Sequence, residues 1–446
     1  MTQYRAARLP HHLGPAAWSA ILGPMAIGAP LDGNRTADFV IIGAGFAGLS
    51  AARRLTQLHP GARIVVLDAG RVAEGAAGRN SGFMIDLPHD LQSDDYASNA
   101  GDQKLIALNR TAIAFAGAAV QDYDIDGNYF RRDGKVNGAA SAAAEARNVS
   151  YARHLETLGE PCEILDARAM QAMTGSAHYR SGLYSPGTVM LQPAGYIRGL
   201  AAGLRSRDVD IFEQTPATQF ARTGTDWDVS TPRGTITTPR IILTVNGHLE
   251  SFGFERGRLM QLFLYAVMSA ELDKDALRSL GGQSRWGITP SDPMGTTVRR
   301  IDNAQGGNRI IVRTCATLRP NTRPVARDLA RASKTMRAKF DQRFPQIAGL
   351  PMEHAWAGHL CLSRGGVSVT RQLDQGVWSG CVQNGLGTAR GTLTGIAAAE
   401  MAAGTSSSVS EHFQGESRPK RLPPRPFQQI GANAVLRFRE WTAREE

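Results

Sequence analysis

The stretch from Asp38 to Asp68 constrains this chain more than any other. Asp38–Ile42 (DFVII) is a short β-rich apolar run, and Gly43-Ala-Gly45-Phe-Ala-Gly48 follows at once. Leu49–Leu58 carries helix formers, and Ile64–Leu67 is a second apolar run that ends at Asp68. Strand, turn, helix and strand within roughly 30 residues form a βαβ unit, which implies a parallel sheet. A GxGxxG that follows a strand and opens a helix is the dinucleotide-binding arrangement. Gly43 permits the tight turn, Gly45 lets the backbone approach a pyrophosphate, and Gly48 lets helix and strand pack closely. The phosphates then sit on the free N–H groups where Phe46 and Ala47 begin the helix. Asp68, followed by Ala69, lies 20 residues beyond Gly48. A carboxylate there accepts from both ribose hydroxyls and repels a 2′-phosphate, which argues against NADP.

The unit does not itself choose between NAD and FAD. Gly75–Met84 (GAAGRNSGFM) is a loop of small residues that can run along a flavin, with Gly78, Arg79, Asn80, Ser81 and Gly82 as its contact candidates. Thr238–Gly247 (TPRIILTVNG) is a strand that ends in a small-residue turn at Asn246 and Gly247. Chains of 446 residues exceed one compact core, so two joined domains are expected. Helices are predicted over Asp102–Val120, Ser141–Leu158, Pro193–Arg205, Val325–Phe340 and Thr392–Ala403. Antiparallel strands are predicted at Leu262–Ala270, Thr296–Ile301 and Arg309–Thr314. The tail from Gly404 is Ser-rich and then Pro-rich.

Lys and Arg exceed Asp and Glu, for a net charge of +10, which favours anionic partners. No dense basic block interleaved with aromatics points to nucleic acid. Cys162, Cys315, Cys361 and Cys381 form no CxxC pair, and no metal site is expected. So few cysteines suit a reducing compartment. No apolar run reaches a membrane span. Pro15–Pro30 is broken by Gly23, Pro24 and Gly28, so it reads as a packed N-terminal extension rather than a signal peptide. A cytoplasmic protein is expected.

Five segments together resemble the D-amino acid oxidase family of FAD-dependent amine oxidoreductases, and most closely its gamma-glutamylputrescine oxidase branch. They are Ala37–Ser50, Gly75–Phe83, Thr238–His248, Glu353–His359 (EHAWAGH) and Gln383–Gly395 (QNGLGTARGTLTG). The resemblance implies an α/β chain, α+β overall, in which a Rossmann-like FAD-binding domain with a parallel sheet carries an antiparallel-sheet substrate domain. On that pattern residues 36–125, 194–256 and 352–404 form the discontinuous FAD domain. Residues 126–193 and 257–351 form the substrate domain, 1–35 an N-terminal extension and 405–446 a C-terminal tail. Asn384, Gly385, Leu386, Gly387 and Thr388 would lie near the flavin O2 edge, and Ala217 would also touch FAD. A helix beginning near Thr388 would stabilise charge that collects there on reduction. The sequence also departs from its relatives. Leu386 replaces a histidine usual in the branch. The position at which sarcosine oxidases carry a flavin-linking cysteine falls at about Gly358, so FAD is expected to bind noncovalently. The carboxylate-binding arginine of glycine oxidases would fall near Leu360 and is missing.

Family chemistry implies hydride transfer from an amine-bearing carbon to the flavin, followed by hydrolysis of the imine and reoxidation by O2 to give peroxide. A small anionic amine is the expected substrate, with Arg299 and Arg390 as candidate partners of its carboxylate. A dicarboxylate such as iminodiacetate would use both. Arg299 and Arg300 sit on a predicted strand, where side chains alternate, so at most one faces the pocket. Tyr265 caps the flavin or belongs to the core. His359 helps deprotonate the amine or is structural. Two other readings compete: a dehydrogenase that passes electrons to a quinone or carrier, and an RNA-binding modifying flavoprotein.

Overall fold

The computed structural model describes residues 2–25, 28–88 and 101–446. The βαβ unit forms where the sequence places it, as β1 (Phe39–Ile42), α1 (Phe46–Leu58) and β2 (Ile64–Leu67). All four residues of β1 and of β2 are buried. Full burial is what a parallel sheet covered on both faces requires, and it explains why these strands read as unbroken apolar runs. β3 (Asp210–Phe212) pairs with β2, and β4 (Ile241–Leu243) with β1, both in parallel. Val377–Cys381 extends the sheet in parallel, and Val369–Asp374 closes it as an antiparallel edge. The sheet is thus assembled from segments more than 300 residues apart in the chain.

The second layer is an eight-stranded sheet. Its second strand from one edge is β5 (Leu259–Ser269), and β8 (Arg309–Leu318), β7 (Thr297–Ile301) and β6 (Trp286–Pro290) follow it in that order to one side. Lys135–Ala139, Ser181–Ser185 and Glu163–Asp166 continue it outward. On the other side, β9 (Met352–Ser363) pairs with β5 from Leu259↔Ser363 to Met268↔His354 before an irregularity. Met352–Ser363 therefore belongs to this roof sheet and not, as the family pattern suggested, to the flavin unit. A long strand needs a long partner, and β5 is the strand of matching length.

Both faces of β5 are covered, so its sequence LFLYAVM shows no alternation. Phe263, Tyr265 and Val267 pack with Met336 and Phe340 of α2 (Ala326–Arg343). Ala266, Met268 and Trp356 join the core shared with α1 and α3 (Ala389–Ala403). Helices α1 and α3 meet backbone to backbone, since a Cβ on Gly395 would lie 2.1 Å from the Ala47 carbonyl oxygen. The N-terminal segment is packed, as expected. Gln3–Arg5 pairs with Gln219–Ala221, and the fully buried Trp18 donates from Nε1 to the Asn80 carbonyl at 2.8 Å. The tail after Gly404 is Ser-rich and Pro-rich but carries helices. It holds a short helix, Ser408–Gln414, and the long helix α4 (Arg425–Thr442).

Candidate active site

A cavity of about 370 Å³ runs between the carboxyl ends of β1, β2 and β4 and the underside of the roof. Open α/β sheets bind ligands at this end. At one extremity Gly43 takes φ +113, a left-handed conformation, and a Cβ there would lie 2.9 Å from the Thr244 carbonyl oxygen. Gly45 is the N-cap of α1, and Phe46 and Ala47 of its first turn line the cavity. Gly48 does not line it. Its Cβ would lie 1.7 Å from the Gly43 carbonyl oxygen, so Gly48 is the helix-to-strand packing glycine. Asp68 and Ala69 also line the wall. Asp68 is held by backbone donors, Ala44 N–H to Oδ2 at 2.8 Å and Gly70 N–H to Oδ1 at 2.9 Å. Burial raises its pKa to about 6 against those donors, with help from the nearby charges of Glu213 and Glu74.

Arg79, Asn80, Ser81, Gly82, Ala217 and Asn246 border the middle of the cavity. The Asn246 Oδ1 atom is buried without a hydrogen-bond partner, an acceptor left for a ligand donor. The side chains of Arg79 and Asn80 are already committed. Arg79 donates to the carbonyls of Glu74, Leu13, Ala357 and Gly14, and thereby ties the loop to the N-terminal segment and the roof. Asn80 donates to Ala77 O and accepts from Gly82 N. Both shape the loop, and its backbone and small side chains face the cavity. Gly78 and Gly247 stand behind the wall, where a Cβ would lie 1.8 Å from Ala73 O and 2.1 Å from Gln261 Oε1 respectively.

At the other extremity Asn384, Gly385, Leu386, Gly387 and Thr388 line the cavity just before α3. Asn384 is a staple. Its Oδ1 accepts from Ser363 N at 2.8 Å, and its Nδ2 donates to Gly366 O and Val367 O. Thr388 donates to Phe83 O at 2.6 Å, so the two flavin-side loops are joined. The first turn of α3 leaves its N–H groups and positive dipole end at this extremity.

The candidate substrate contacts fare differently. Arg299 is 1% exposed and is not in the cavity wall. Its Nη1 donates to Leu191 O at 2.6 Å, Ser81 O at 3.0 Å and Gly82 O at 3.3 Å, and its guanidinium lies over the rings of Trp18 and Phe83. It is a clamp on the loop rather than a substrate cation. Arg390 is paired with Glu416 from the tail and also lies outside the wall. Neither arginine is free to meet a carboxylate. Tyr265 borders the cavity, but its ring is fully buried in the core beneath α2, so it is a packing residue. His359 also borders the cavity. Its Nε2 meets Gln261 Oε1 at 2.9 Å, while the Gln261 amide donates to Gly247 O and Glu250 Oε2. That network assigns the His359 proton to Nε2. Burial, with the charges of His248 and His12, lowers its pKa to about 3. The Nε2 atom is thus committed to Gln261, which holds the turn at Asn246–Gly247, and the lowered pKa disfavours a charged imidazole here.

What the sequence reading missed is Arg313. It sits on β8, opposite Thr297 of β7 and Ala266 of β5, and lines the cavity with Thr289, Thr297 and Ile311. Burial lowers its pKa. Among the described residues it has no hydrogen-bond or ion-pair partner. Strand alternation could have flagged it, because residues 311 and 313 share a face. The N-terminal segment Arg8–His12 also borders the cavity, and no sequence signal announced that.

Four features of the cavity fit FAD: a glycine turn into a helix N-terminus, a carboxylate at the ribose spacing along the chain, an orphaned buried acceptor, and a second helix start at the far end. Among the described residues no group of His, Cys, Asp or Glu could hold a metal ion, and no helix is long and apolar enough to cross a membrane. The family described as "DAO: FAD dependent oxidoreductase" matches residues 38–401. The chain is 25% identical over 395 residues to a probable oxidoreductase from Rhizobium meliloti, covering 85% of this chain and 86% of that protein. It is 24% identical over 408 residues to the gamma-glutamylputrescine oxidoreductase of Escherichia coli, covering 89% of each. In fold it resembles glycine oxidase from Geobacillus kaustophilus, with TM-score 0.67, 17% identity, and 84% of this chain and 96% of that one covered. It also resembles iminodiacetate oxidase from Chelativorans, with TM-score 0.62, 16% identity, and 83% and 96% covered. A cavity built for FAD and a family match over most of the chain agree: this protein belongs to the DAO family of FAD-dependent oxidoreductases of the amine and amino-acid oxidase type.

Proposed function

We propose that the protein oxidises a small amine or amino acid bearing a carboxylate, with noncovalent FAD and with O2 as the electron acceptor. The observation that carries this reading is Arg313, a half-buried cation in the cavity wall with no anion beside it among the described residues. Such a group is costly to bury alone and is offset by a ligand anion. With Arg299 and Arg390 committed elsewhere, Arg313 is the unpaired arginine on the roof strands among the described residues, which suits one carboxylate and weakens the two-cation argument for a dicarboxylate. Bound FAD supplies the acceptor for a hydride from the carbon next to nitrogen, and water then hydrolyses the imine.

This chain's own residues do the rest. Arg313 would fix the carboxylate and so orient the adjacent carbon. Thr289 and Thr297 beside it offer hydroxyls. The roof and the N-terminal segment exclude water. With His359 hydrogen-bonded to Gln261, the substrate would enter with its amine neutral. Cys361 supports noncovalent binding: it borders the cavity, but burial pushes its thiol well above the ordinary range, which removes the thiolate a covalent link needs. Two measurements test the reading. Acid precipitation should leave yellow FAD in the supernatant; colour retained in the pellet refutes noncovalent binding. Anaerobic bleaching of the flavin by a panel of amines should favour carboxylated members. Bleaching by neutral polyamines and not by acidic amines would overturn the substrate class, and absence of peroxide on aeration would overturn the oxidase.

A further inference from the structure

Helix α4 is amphipathic in the wrong sense for a helix that completes a core. Phe427, Ile430, Phe438 and Trp441 are 74%, 72%, 63% and 59% exposed, and no residue of the helix is buried. At 3.6 residues per turn these four share one face, while Gln429, Asn433, Leu436 and Glu440 share the opposite one. The packed face is held by polar contacts. Asn433 accepts from Leu318 N at 2.9 Å and donates to Leu318 O at 3.2 Å, Glu440 accepts from Ala316 N at 3.0 Å, and Arg437 donates to Ala316 O at 3.2 Å. These side chains satisfy β8 beyond Arg313, where its pairing with β7 has ended. A polar inward face and an aromatic outward face suit a helix whose outer medium is itself apolar. The helix lies beyond residues 38–401, the stretch that matches the family.

We infer that α4 docks the protein onto an anionic lipid surface, lying in the plane of the headgroups. Three observations choose lipid over a second copy. Residues 418–446 carry seven basic residues against three acidic ones, with Lys420 and Arg421 just before the helix and Arg425 and Arg439 exposed on it. Two copies that face each other through this helix would bring like charge together, whereas acidic headgroups complement it. Four side chains along ~21 Å of helix also offer less area than the ~800 Å² per partner of a stable dimer. Finally, Phe and Trp at the apolar face flanked by arginine match the chemistry of the bilayer interface, where ring bodies are buried and cations meet phosphate.

The test uses the full FAD-loaded protein in co-sedimentation with vesicles of phosphatidylcholine alone and of phosphatidylcholine mixed with phosphatidylglycerol. Binding is expected to the mixed vesicles only and should weaken as salt rises. The pair Phe438→Asp and Trp441→Asp should reduce partitioning more than tenfold, and Arg439→Glu or Arg421→Glu by roughly fivefold each. Flavin content and turnover should not change, because these side chains are exposed and remote from the cavity. Wild-type protein that ignores the mixed vesicles overturns the inference, as does binding unaffected by the aspartates. A wild-type dimer by light scattering that Phe438→Asp converts to monomer also overturns it, in favour of a second copy.

Discussion

Replacing Arg313 by methionine separates a substrate cation from a structural one. Methionine keeps much of the apolar stem and removes the charge. In the free protein the guanidinium has no partner among the described residues, so its removal leaves no acceptor orphaned. Burial already disfavours its charged form. The variant should therefore fold with unchanged or slightly raised Tm. The cost appears only with substrate. Truncating one side of a buried charged hydrogen-bonded pair costs about 2–5 kcal/mol. Arg313 is partly open to solvent along the cavity, so the lower range of about 2–4 kcal/mol applies, a drop of roughly 30- to 900-fold in kcat/KM. Arg313→Lys keeps the charge without the fork and should lose only about tenfold. The assay is anaerobic flavin reduction by stopped flow, with paired amines that differ in a carboxylate. The neutral member of each pair should change by less than about threefold, since it never used the cation. Equal losses for acidic and neutral amines, or a loss under about threefold for the acidic ones, would refute the assignment.

Three further outcomes follow from the geometry. Arg299→Met should lower stability by about 2–4 kcal/mol in thermal unfolding, because three carbonyls lose their charged donor, while the preference for acidic over neutral amines stays put. A changed preference would return Arg299 to the substrate site. Gly387→Val should weaken FAD binding with no change in apoprotein Tm, since Gly387 lines the cavity and a Cβ there meets no protein atom within 4 Å; normal flavin content in the variant would contradict this. The affinity for FAD should fall as pH drops through about 6. Ribose hydroxyls donate to the ionised Asp68 carboxylate, so binding favours the deprotonated form and is weakened once the free protein holds that proton. Titrating FAD fluorescence from pH 5 to 8 should show this slope in wild type and not in Asp68→Asn.

The flavin-binding βαβ unit was legible because its causes are local. A positive-φ glycine, a helix start and a carboxylate at the next strand end lie within roughly 30 residues, and each acts on its chain neighbours. The same holds for the loops at 75–84 and 383–388, whose small residues mark close approach wherever the chain goes. The substrate end was not legible, because there the neighbours are remote in sequence. Arg299, Arg313 and Arg390 look alike as residues on strands or helix starts. Arg299 is used up by carbonyls at positions 81, 82 and 191, and Arg390 by a glutamate in the tail. Arg313 stays open because its register opposite Thr297 and Ala266 turns it to the cavity and brings no acid with it. The Pro-rich tail carries no helix signal of its own, yet Pro426 stands in the first turn of α4, where proline's fixed φ and missing N–H cost little. Sequence alone determined the cofactor half of this protein. Which cation faces the substrate, and which helix faces outward with its aromatics, was decided by tertiary pairing, since a side chain's partner in those places is set by strand register and not by spacing along the chain.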